Sequence, residues 1–347
     1  MANNNITLLP QIITTLPQEQ EDLFNRLYSI SVRTGNLLFP PQMVSGNNKD
    51  LHEFESQQIV HVTNQCTLES TLFNRLRAQR PFDTRIGESA ISILDKAKGC
   101  AFCNPLEETP LDVFGRVEGI HSITASNMAK YDHLHAVIVF KEHSPFIWEE
   151  EKISDFLSVA QQWYTRAHEY DNSAIFPFFM WNCLWRAGAS IVHGHAQVLL
   201  SRQPYRAILS HYRTQAKYRQ CYSTEYYDDL VKVHEIVGLA IKRGNNSILA
   251  YLTPIKEKEV VIISQNLKGI SRNISWVLSS YHALGVQSFN LAILMPKLGT
   301  QGPFITRLVD RGDLFSKSSD FGGLELYGGT SVVSSDPFRL IEALHDS

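Results

Sequence analysis

One stretch of the chain decides the fold, Gly188-Ala189-Ser190-Ile191-Val192-His193-Gly194-His195-Ala196-Gln197-Val198-Leu199-Leu200. Side chains alternate along a β-strand, so His193, His195 and Gln197 would line one face of a strand. On a helix, residues two apart point in nearly opposite directions, and the two imidazoles could not act together. The β-branched residues in the stretch also favour a strand. The sequence therefore predicts a strand with three polar groups converging on one site.

These polar groups suit attack on phosphorus. A neutral imidazole is a nucleophile toward a phosphate when its second nitrogen is held by an acceptor, and His195 is central in the row. Gln197 can donate a hydrogen bond to a phosphoryl oxygen without titrating, and Ser190 with the Gly188 turn can add a hydroxyl and backbone donors. The simpler alternative is a pair of histidines on a half-exposed strand, but the glutamine and the Gly-x-Ser before it favour a site.

Two cysteines with metal-ligand spacing precede this strand. Cys100 and Cys103 are separated by two residues, which lets both thiolates reach one tetrahedral metal ion. A redox dithiol is the competing interpretation, but that motif normally opens a helix, whereas Asn104-Pro105 follows here and predicts a turn. Incidental cysteines are the third possibility. The five cysteines are odd in number and three stand alone, so a disulfide framework is not expected.

Working outward, the strand belongs to a pattern that occurs twice. Strands are predicted at 135–140, 175–183 and 191–200, with a helix at 153–170. After a long helical stretch at 205–243, strands at 248–253, 259–263 and 289–295 flank a helix at 270–283. The sequence predicts an α+β fold with a duplicated unit, in which helices cover one face of antiparallel sheets. The expected parts are an N-terminal extension at 1–84, a catalytic domain at 85–205 and a diverged copy at 206–347.

Composition narrows the class of protein. The 347 residues are 44% apolar, enough for sizeable cores, and the formal charge of −3 provides no general attraction to nucleic acid. The apolar runs are too short to cross a membrane, and the first residues lack the pattern of a secretory signal. We expect a cytoplasmic protein that binds neither nucleic acid nor membrane.

His193-Gly194-His195-Ala196-Gln197 resembles the His-x-His-x-Gln signature of galactose-1-phosphate uridylyltransferase, ADP-glucose phosphorylase and diadenosine tetraphosphate phosphorylase, a branch of the histidine-triad superfamily. The resemblance implies a nucleotidyl group carried covalently on His195. Hydrolases of the superfamily have a third histidine where this chain has Gln197. An amide cannot shuttle protons as an imidazole can, so glutamine favours transfer to a phosphate acceptor over hydrolysis.

The resemblance also implies a zinc site. In the uridylyltransferase pattern the remaining two ligands are a histidine after a strand and the first histidine of the triad, which match His143 and His193 here. Together with Cys100 and Cys103 they would balance the charge of a zinc ion. His133 and His135, two residues apart, could supply the third ligand instead of His143, although a surface or packing role is favoured for them.

Other matches cover residues 77–200. Arg77 and Arg80 fit an Arg-x-x-Arg-Pro element whose arginines contact nucleotide phosphates, although a solvated basic turn is the alternative. Asn127 falls where the family contacts the ribose, and Asn182 matches an asparagine that precedes the glycine loop. The second copy departs from the family, because it lacks paired histidines and Ser331 stands nearest to a glutamine that grips the sugar phosphate. We expect this copy to contribute packing and a homodimer surface more than chemistry.

The expected activity is transfer of a nucleoside monophosphate from a nucleotide sugar or dinucleoside polyphosphate to a phosphate or sugar-phosphate acceptor. A hydrolase of dinucleoside polyphosphates is a second hypothesis. A catalytically silent zinc protein that binds nucleotides is a third, because fold alone does not fix function.

Overall fold

The computed structural model describes residues 4–44, 51–79, 90–267 and 269–346, in which thirteen strands form two sheets. The strands are β1 (Tyr28–Asn36), β2 (Ser56–Asn64), β3 (Ser70–Phe73), β4 (Ser122–Ser126), β5 (His135–Phe140), β6 (Phe176–Asn182), β7 (His195–Ser201), β8 (Ala240–Arg243), β9 (Asn246–Ala250), β10 (Glu257–Ser264), β11 (Phe289–Leu294), β12 (Phe304–Asp310) and β13 (Thr330–Val333).

The helices are α1 (Leu9–Thr14), α2 (Gln18–Leu27), α3 (Pro41–Val44), α4 (His52–Glu55), α5 (Ala90–Lys96), α6 (Pro105–Glu108), α7 (Glu150–Tyr170), α8 (Arg206–Tyr222), α9 (Tyr226–Ile236), α10 (Ile270–Ala283) and α11 (Pro337–His345). Within the described ranges, no helix combines the length and apolar character needed to cross a bilayer.

The larger sheet contains the predicted duplication. Its nine antiparallel strands run in the order β4-β5-β7-β6-β11-β12-β10-β9-β8. The first unit reads β4-β5-β7-β6 with α7 between β5 and β6 in sequence. The second reads β9-β10-β12-β11 with α10 between β10 and β11. The same order occurs twice, and β6 joins β11 through five residue pairs from Asn182↔Asn290 to Phe178↔Leu294. The α+β, duplicated architecture is therefore confirmed.

The main core lies between this sheet and its long helices. On α7 the buried residues include Ile153, Phe156, Ala160, Trp163 and Ala167, which recur every three or four positions and form one apolar face. Phe156 stacks on Phe140 of β5 with ring centroids 3.9 Å apart, and Trp181 of β6 meets Phe140 edge-on. Burial of each such side chain contributes about 1.5–3 kcal/mol, so this packing fixes the position of β5.

The N-terminal residues contribute three strands to a second, four-stranded sheet that the sequence did not reveal. Helix α2 buries Phe24 and Leu27, and the chain turns directly into β1 at Tyr28. Strands β1, β2 and β3 pair in order, and β13 from the C-terminal part adds to β3 in parallel. Asp336 caps α11 by accepting from the Phe338 amide, and it also accepts from the Ile6 amide. The domain boundaries remain predictions, and the one at 84/85 lies outside the described residues.

The helical stretch predicted over 205–243 consists of two helices, α8 and α9, and it ends at Ile236 instead of Arg243. Ser223 adopts the left-handed conformation, with φ of 57°, and ends α8. Asp229 on α9 accepts hydrogen bonds from Thr224 and Tyr218, so buried polar contacts stabilise this corner. The chain then forms β8 instead of continuing as a helix. Such a break depends on tertiary contacts that override helix propensity.

A buried ion-pair cluster links the two sheets. Arg307 on β12 lies 2.5 Å from Glu259 on β10 and 2.5 Å from Glu69, which lies between β2 and β3. Tyr251 donates to the second oxygen of Glu69 at 2.7 Å. Glu259 is fully buried, and the side chains of Arg307 and Glu69 are 13% and 19% exposed. Burial tends to raise the pKa of Glu69, but the charge of Arg307 and its hydrogen bonds keep that pKa below its usual value.

Candidate active site and metal centre

The polar row lies on the sheet face opposite α7. His195 pairs with Val139 of β5 and Gln197 with Val137, so both polar side chains share a face with these valines. Val137 and Val139 form a small apolar cluster with Ile123 and Ala125, separate from the main core. Phe102 packs on this cluster, with its ring centroid 5.3 Å from that of His195. His195 and Gln197 are each 6% exposed, and so they lie in a largely apolar environment.

The four predicted metal ligands come together. The Cys100 and Cys103 sulfurs are 3.9 Å apart, and each is 3.6 Å from Nδ1 of His193. His143 Nδ1 is 3.3 Å from the Cys103 sulfur and 3.1 Å from His193 Nδ1. In a tetrahedral site with bonds of about 2.0–2.3 Å, ligand atoms are separated by about 3.3–3.8 Å. The arrangement therefore fits one metal ion.

Backbone contacts orient both imidazoles toward this centre. Nε2 of His193 donates to the carbonyl of Phe140 at 2.7 Å, and Nε2 of His143 donates to the carbonyl of Leu94 at 3.0 Å. In a neutral ring the other nitrogen then carries a lone pair, and in both residues it faces the thiols. Burial lowers the pKa of His193 to about 4, which keeps its ring neutral. His193 precedes β7 instead of lying on it, which corrects the strand boundary predicted at 191.

The alternative ligand and the redox hypothesis do not fit this geometry. His133 contacts Asp132 and Asp171 at 2.9 and 2.8 Å, and His135 contacts Gln197, so neither joins the cysteines. The cysteines lie on a short 3-10 turn over Ala101–Cys103, as the following Asn-Pro predicted. Burial raises the pKa of the Cys100 thiol, whereas a reactive dithiol needs a lowered one.

Gly194 lets the backbone between His193 and β7 pack closely against β5 and the segment that follows it. Its amide donates to the His143 carbonyl, and its carbonyl accepts from the Phe140 amide. A Cβ at this position would lie 2.5 Å from the Phe140 ring and 2.7 Å from the Ser144 carbonyl oxygen. A side chain here would have to displace the Phe140 ring and the backbone at Ser144, because these contacts are tighter than van der Waals packing allows.

Among the residues that the structure describes, one ring nitrogen of His195 is hydrogen-bonded and the other has no partner. Nδ1 lies 2.8 Å from the carbonyl oxygen of His193, so it carries the hydrogen and donates. The ring is then neutral with its lone pair on Nε2. Burial lowers the pKa of His195, which favours this neutral form. In this arrangement the backbone holds Nδ1 of the His195 ring, and Nε2 is the nitrogen that can act as a nucleophile.

His135 contacts Gln197 in the structure. The sequence analysis had favoured only a surface or packing role for this histidine. It is fully buried on β5, and its Nε2 lies 2.9 Å from the Gln197 side-chain oxygen. The predicted ribose residue Asn127 is also here, with Nδ2 3.2 Å from the same nitrogen. The only signal in the sequence is the spacing of His133 and His135, which are two residues apart, although β5 begins at His135 and His133 precedes it.

The glycine loop before β7 is held by the second copy. Asn182 accepts at 2.7 Å from the side-chain nitrogen of Asn290, which also donates to the Ala187 carbonyl at 2.9 Å. Arg311 contacts the oxygen of Asn290. The second copy therefore positions the loop next to the site, beyond the packing role expected from the sequence.

The remaining residues predicted to bind phosphate lie in the loop before β7 and in the arginine element. Gly188 is exposed and has φ of 96°, a conformation that favours glycine, and Ser190 is exposed two residues later. Arg77 is half-buried in the 3-10 turn Arg75–Gln79. Arg80 lies outside the described residues. Phosphate contacts by these groups remain predictions.

Comparisons with known proteins support this architecture. No protein-family model and no curated protein sequence matches the chain. Among solved structures it is similar to an ADP-glucose phosphorylase from Arabidopsis thaliana, with a TM-score of 0.61 and 16% identity over 81% of this chain and 96% of that one. A GalT-like protein from Arabidopsis thaliana gives a TM-score of 0.61 and 14% identity, covering 82% and 97%. A uridylyltransferase gives a TM-score of 0.58 and 12% identity, over 83% of this chain and 98% of that one. The chain thus shares the fold of these ADP-glucose phosphorylase and uridylyltransferase structures, as the resemblance of the His193–Gln197 motif predicted.

Proposed function

We propose that this protein is a nucleotidyltransferase that carries a nucleoside monophosphate on Nε2 of His195. The observation that carries the proposal is the hydrogen bond from His195 Nδ1 to the His193 carbonyl, which leaves the lone pair of Nε2 unshared among the described residues of a buried site. The fold is shared with enzymes of this general kind.

The chemistry balances in two displacements. In the first, the Nε2 lone pair forms a bond to the α-phosphorus of the donor, and the bond from phosphorus to the bridging oxygen breaks, so that the leaving sugar phosphate or nucleoside polyphosphate takes the electron pair. His195 keeps its Nδ1 hydrogen, and the positive charge that develops on the ring is stabilised by the His193 carbonyl. In the second, an acceptor phosphate oxygen attacks phosphorus and the bond to Nε2 breaks. Neutral His195 is regenerated without a net proton change.

The neighbouring groups suit this sequence of steps. The Gln197 amide can donate to a phosphoryl oxygen, and Ser190 with the Gly188 turn would supply further donors from the loop before β7. Asn127 and Asn182 would contact the nucleoside and support the loop, and the arginine element Arg77–Arg80 would contact phosphates.

The substrates follow from this chemistry. The solved relatives include a phosphorylase with bound ADP-glucose and a uridylyltransferase. We infer a nucleotide sugar or dinucleoside polyphosphate as donor and a phosphate or sugar phosphate as acceptor. Ser331, nearest in register to the sugar-phosphate glutamine of the family, lies on β13 and donates to the Ile255 carbonyl, so hexose-phosphate recognition would need other groups.

Trapping the intermediate tests the proposal. Incubation with UDP-, ADP- and GDP-sugars or dinucleoside polyphosphates, without acceptor, should add the mass of one nucleoside monophosphate, and peptide mapping should place it on His195. Added phosphate should discharge it. Release of free nucleoside monophosphate at the same rate without phosphate would indicate the hydrolase instead, and binding without adduct or turnover would indicate the silent nucleotide-binding protein.

We propose zinc as the ion held by Cys100, Cys103, His143 and His193. Two sulfur and two nitrogen ligands in a tetrahedral arrangement are typical of structural zinc, which would tie the cysteine turn to the catalytic strand without contacting substrate. The ion would have a structural role, because these four residues would fill all of its ligand positions.

Replacing Cys103 with serine should remove most of the bound metal, because a hydroxyl is a poor zinc ligand at neutral pH. Elemental analysis should find about one zinc per chain in the wild type and far less in the variant, and the melting temperature should fall with it. Cys221→Ser, at an exposed cysteine outside the cluster, is the matched control and should change neither value. Equal zinc content in the wild type and Cys103→Ser would contradict the assignment.

A further inference from the structure

His135 is held in one orientation by the turn before it. The Tyr131 amide donates to its Nδ1 at 3.0 Å, and the Asn127 amide donates to its carbonyl at 3.1 Å. Lys130 also donates to that carbonyl, at 2.8 Å. The ring is fully buried, and the Tyr131 ring lies over it with centroids 4.6 Å apart. The position of His135 Nε2 is therefore fixed independently of any ligand.

These contacts determine where the hydrogen of the imidazole resides. A backbone amide can only donate, so Nδ1 of His135 must be the unprotonated nitrogen. The hydrogen of the neutral ring is then on Nε2, which can only donate. Its acceptor is the Gln197 side-chain oxygen at 2.9 Å. Burial lowers the pKa of His135, which favours the neutral ring.

The tautomer in turn decides which way the Gln197 amide points. Because the oxygen is held by His135, the NH₂ group is directed away from β5. The reverse orientation would place two donors against each other in a buried site and leave the oxygen unpaired. With Nε2 protonated, the 3.2 Å approach of Asn127 Nδ2 is a contact between two donors and not a hydrogen bond.

We propose that His135 is a positioning residue that presents the Gln197 NH₂ group to the phosphoryl oxygens of the transferred nucleotide. This inference rests on the proposed nucleotidyl transfer. It assigns to His135 the role of orienting Gln197 so that the amide donates to a phosphoryl oxygen. A phosphoryl oxygen repels an amide oxygen, so an amide free to rotate would spend part of its time in an unproductive orientation. A fixed donor needs no reorganisation during the reaction.

A double-mutant cycle tests the coupling. His135→Phe is expected to slow formation of the His195 adduct by about 10- to 100-fold, and Gln197→Met by about 10²–10³-fold. If His135 acts through Gln197, the double variant should be no slower than Gln197→Met alone. His135→Gln should recover part of the rate, because its side-chain NH₂ can still donate to Gln197. His133→Phe, two residues earlier and bound to Asp132 and Asp171, is the matched control and should react at the wild-type rate.

A second measurement needs no variant. Nitrogen-15 spectra of the wild-type histidines at neutral pH should show His135 protonated on Nε2 and unprotonated on Nδ1, a state that a purely packing role would not require. Additive rate losses in the double variant, or a His135 hydrogen on Nδ1, would overturn the inference. Failure of the wild type to form any adduct would instead overturn the proposed function, while the tautomer would still decide the orientation of Gln197.

Discussion

Replacing His195 with asparagine is expected to lower turnover by at least about 10⁴-fold, the scale found when a catalytic nucleophile is removed. Asparagine can still donate from its side chain to the His193 carbonyl, so the local hydrogen bond and the fold should survive. Nothing replaces Nε2, and direct transfer between two phosphates would have to occur without the covalent step.

Turnover should be measured with the donor that gives the adduct, alongside the melting temperature and the zinc content. The control is His345→Asn, an exposed histidine at the end of α11, which should retain wild-type activity. A His195→Asn variant that keeps its zinc and its stability and still turns over at more than a few per cent would rule out the covalent mechanism.

Replacing Arg307 with methionine is expected to lower the free energy of unfolding by about 3–5 kcal/mol at neutral pH. The variant keeps the apolar stem but leaves Glu69 and Glu259 buried without the cation between them. A buried charge without its partner costs far more than the pair contributed, because its desolvation is no longer offset. The loss should appear as a lower midpoint in urea denaturation.

The pH dependence of the free energy of unfolding should also reflect the Arg307 ion-pair cluster. The folded-state pKa of Glu69 lies below its usual value, so its contribution to stability is present above the pKa of the unfolded chain and is lost as the pH falls through the folded value. In Arg307→Met this carboxylate would favour protonation, and the difference from the wild type should shrink toward pH 4. Arg219→Met, at an exposed pair with Glu225, should leave the midpoint unchanged. A neutral-pH effect as small as this control would show that the cluster is not desolvated.

The sequence predicted the local parts of the site well. The two-residue period placed His195 and Gln197 on one face, and the spacing of Cys100 and Cys103 predicted a turn with metal ligands. His143 required the family resemblance, because it is forty residues from the nearer cysteine and no local pattern links them.

The contacts that the sequence did not provide are long-range. The partnership of His135 with Gln197 depends on the β5–β7 register, and the loop contact from Asn290 depends on the β6–β11 pairing. The N-terminal sheet is completed by β13, whose Thr330 pairs with Ser70 far earlier in the chain. Strand pairing between distant segments has no signature in either segment alone, which is why these features became visible only in the fold.

The pairing of β6 with β11 limits how this protein can move. The two copies share one continuous hydrogen-bonded ribbon, so a hinge between them would have to break backbone bonds at the centre of the sheet. Rigid-body closure, common where two lobes enclose a ligand, is thus disfavoured. We expect any gating around the reacting phosphorus to arise in the connecting segment 183–194, and thermal denaturation to proceed as one cooperative transition across both copies.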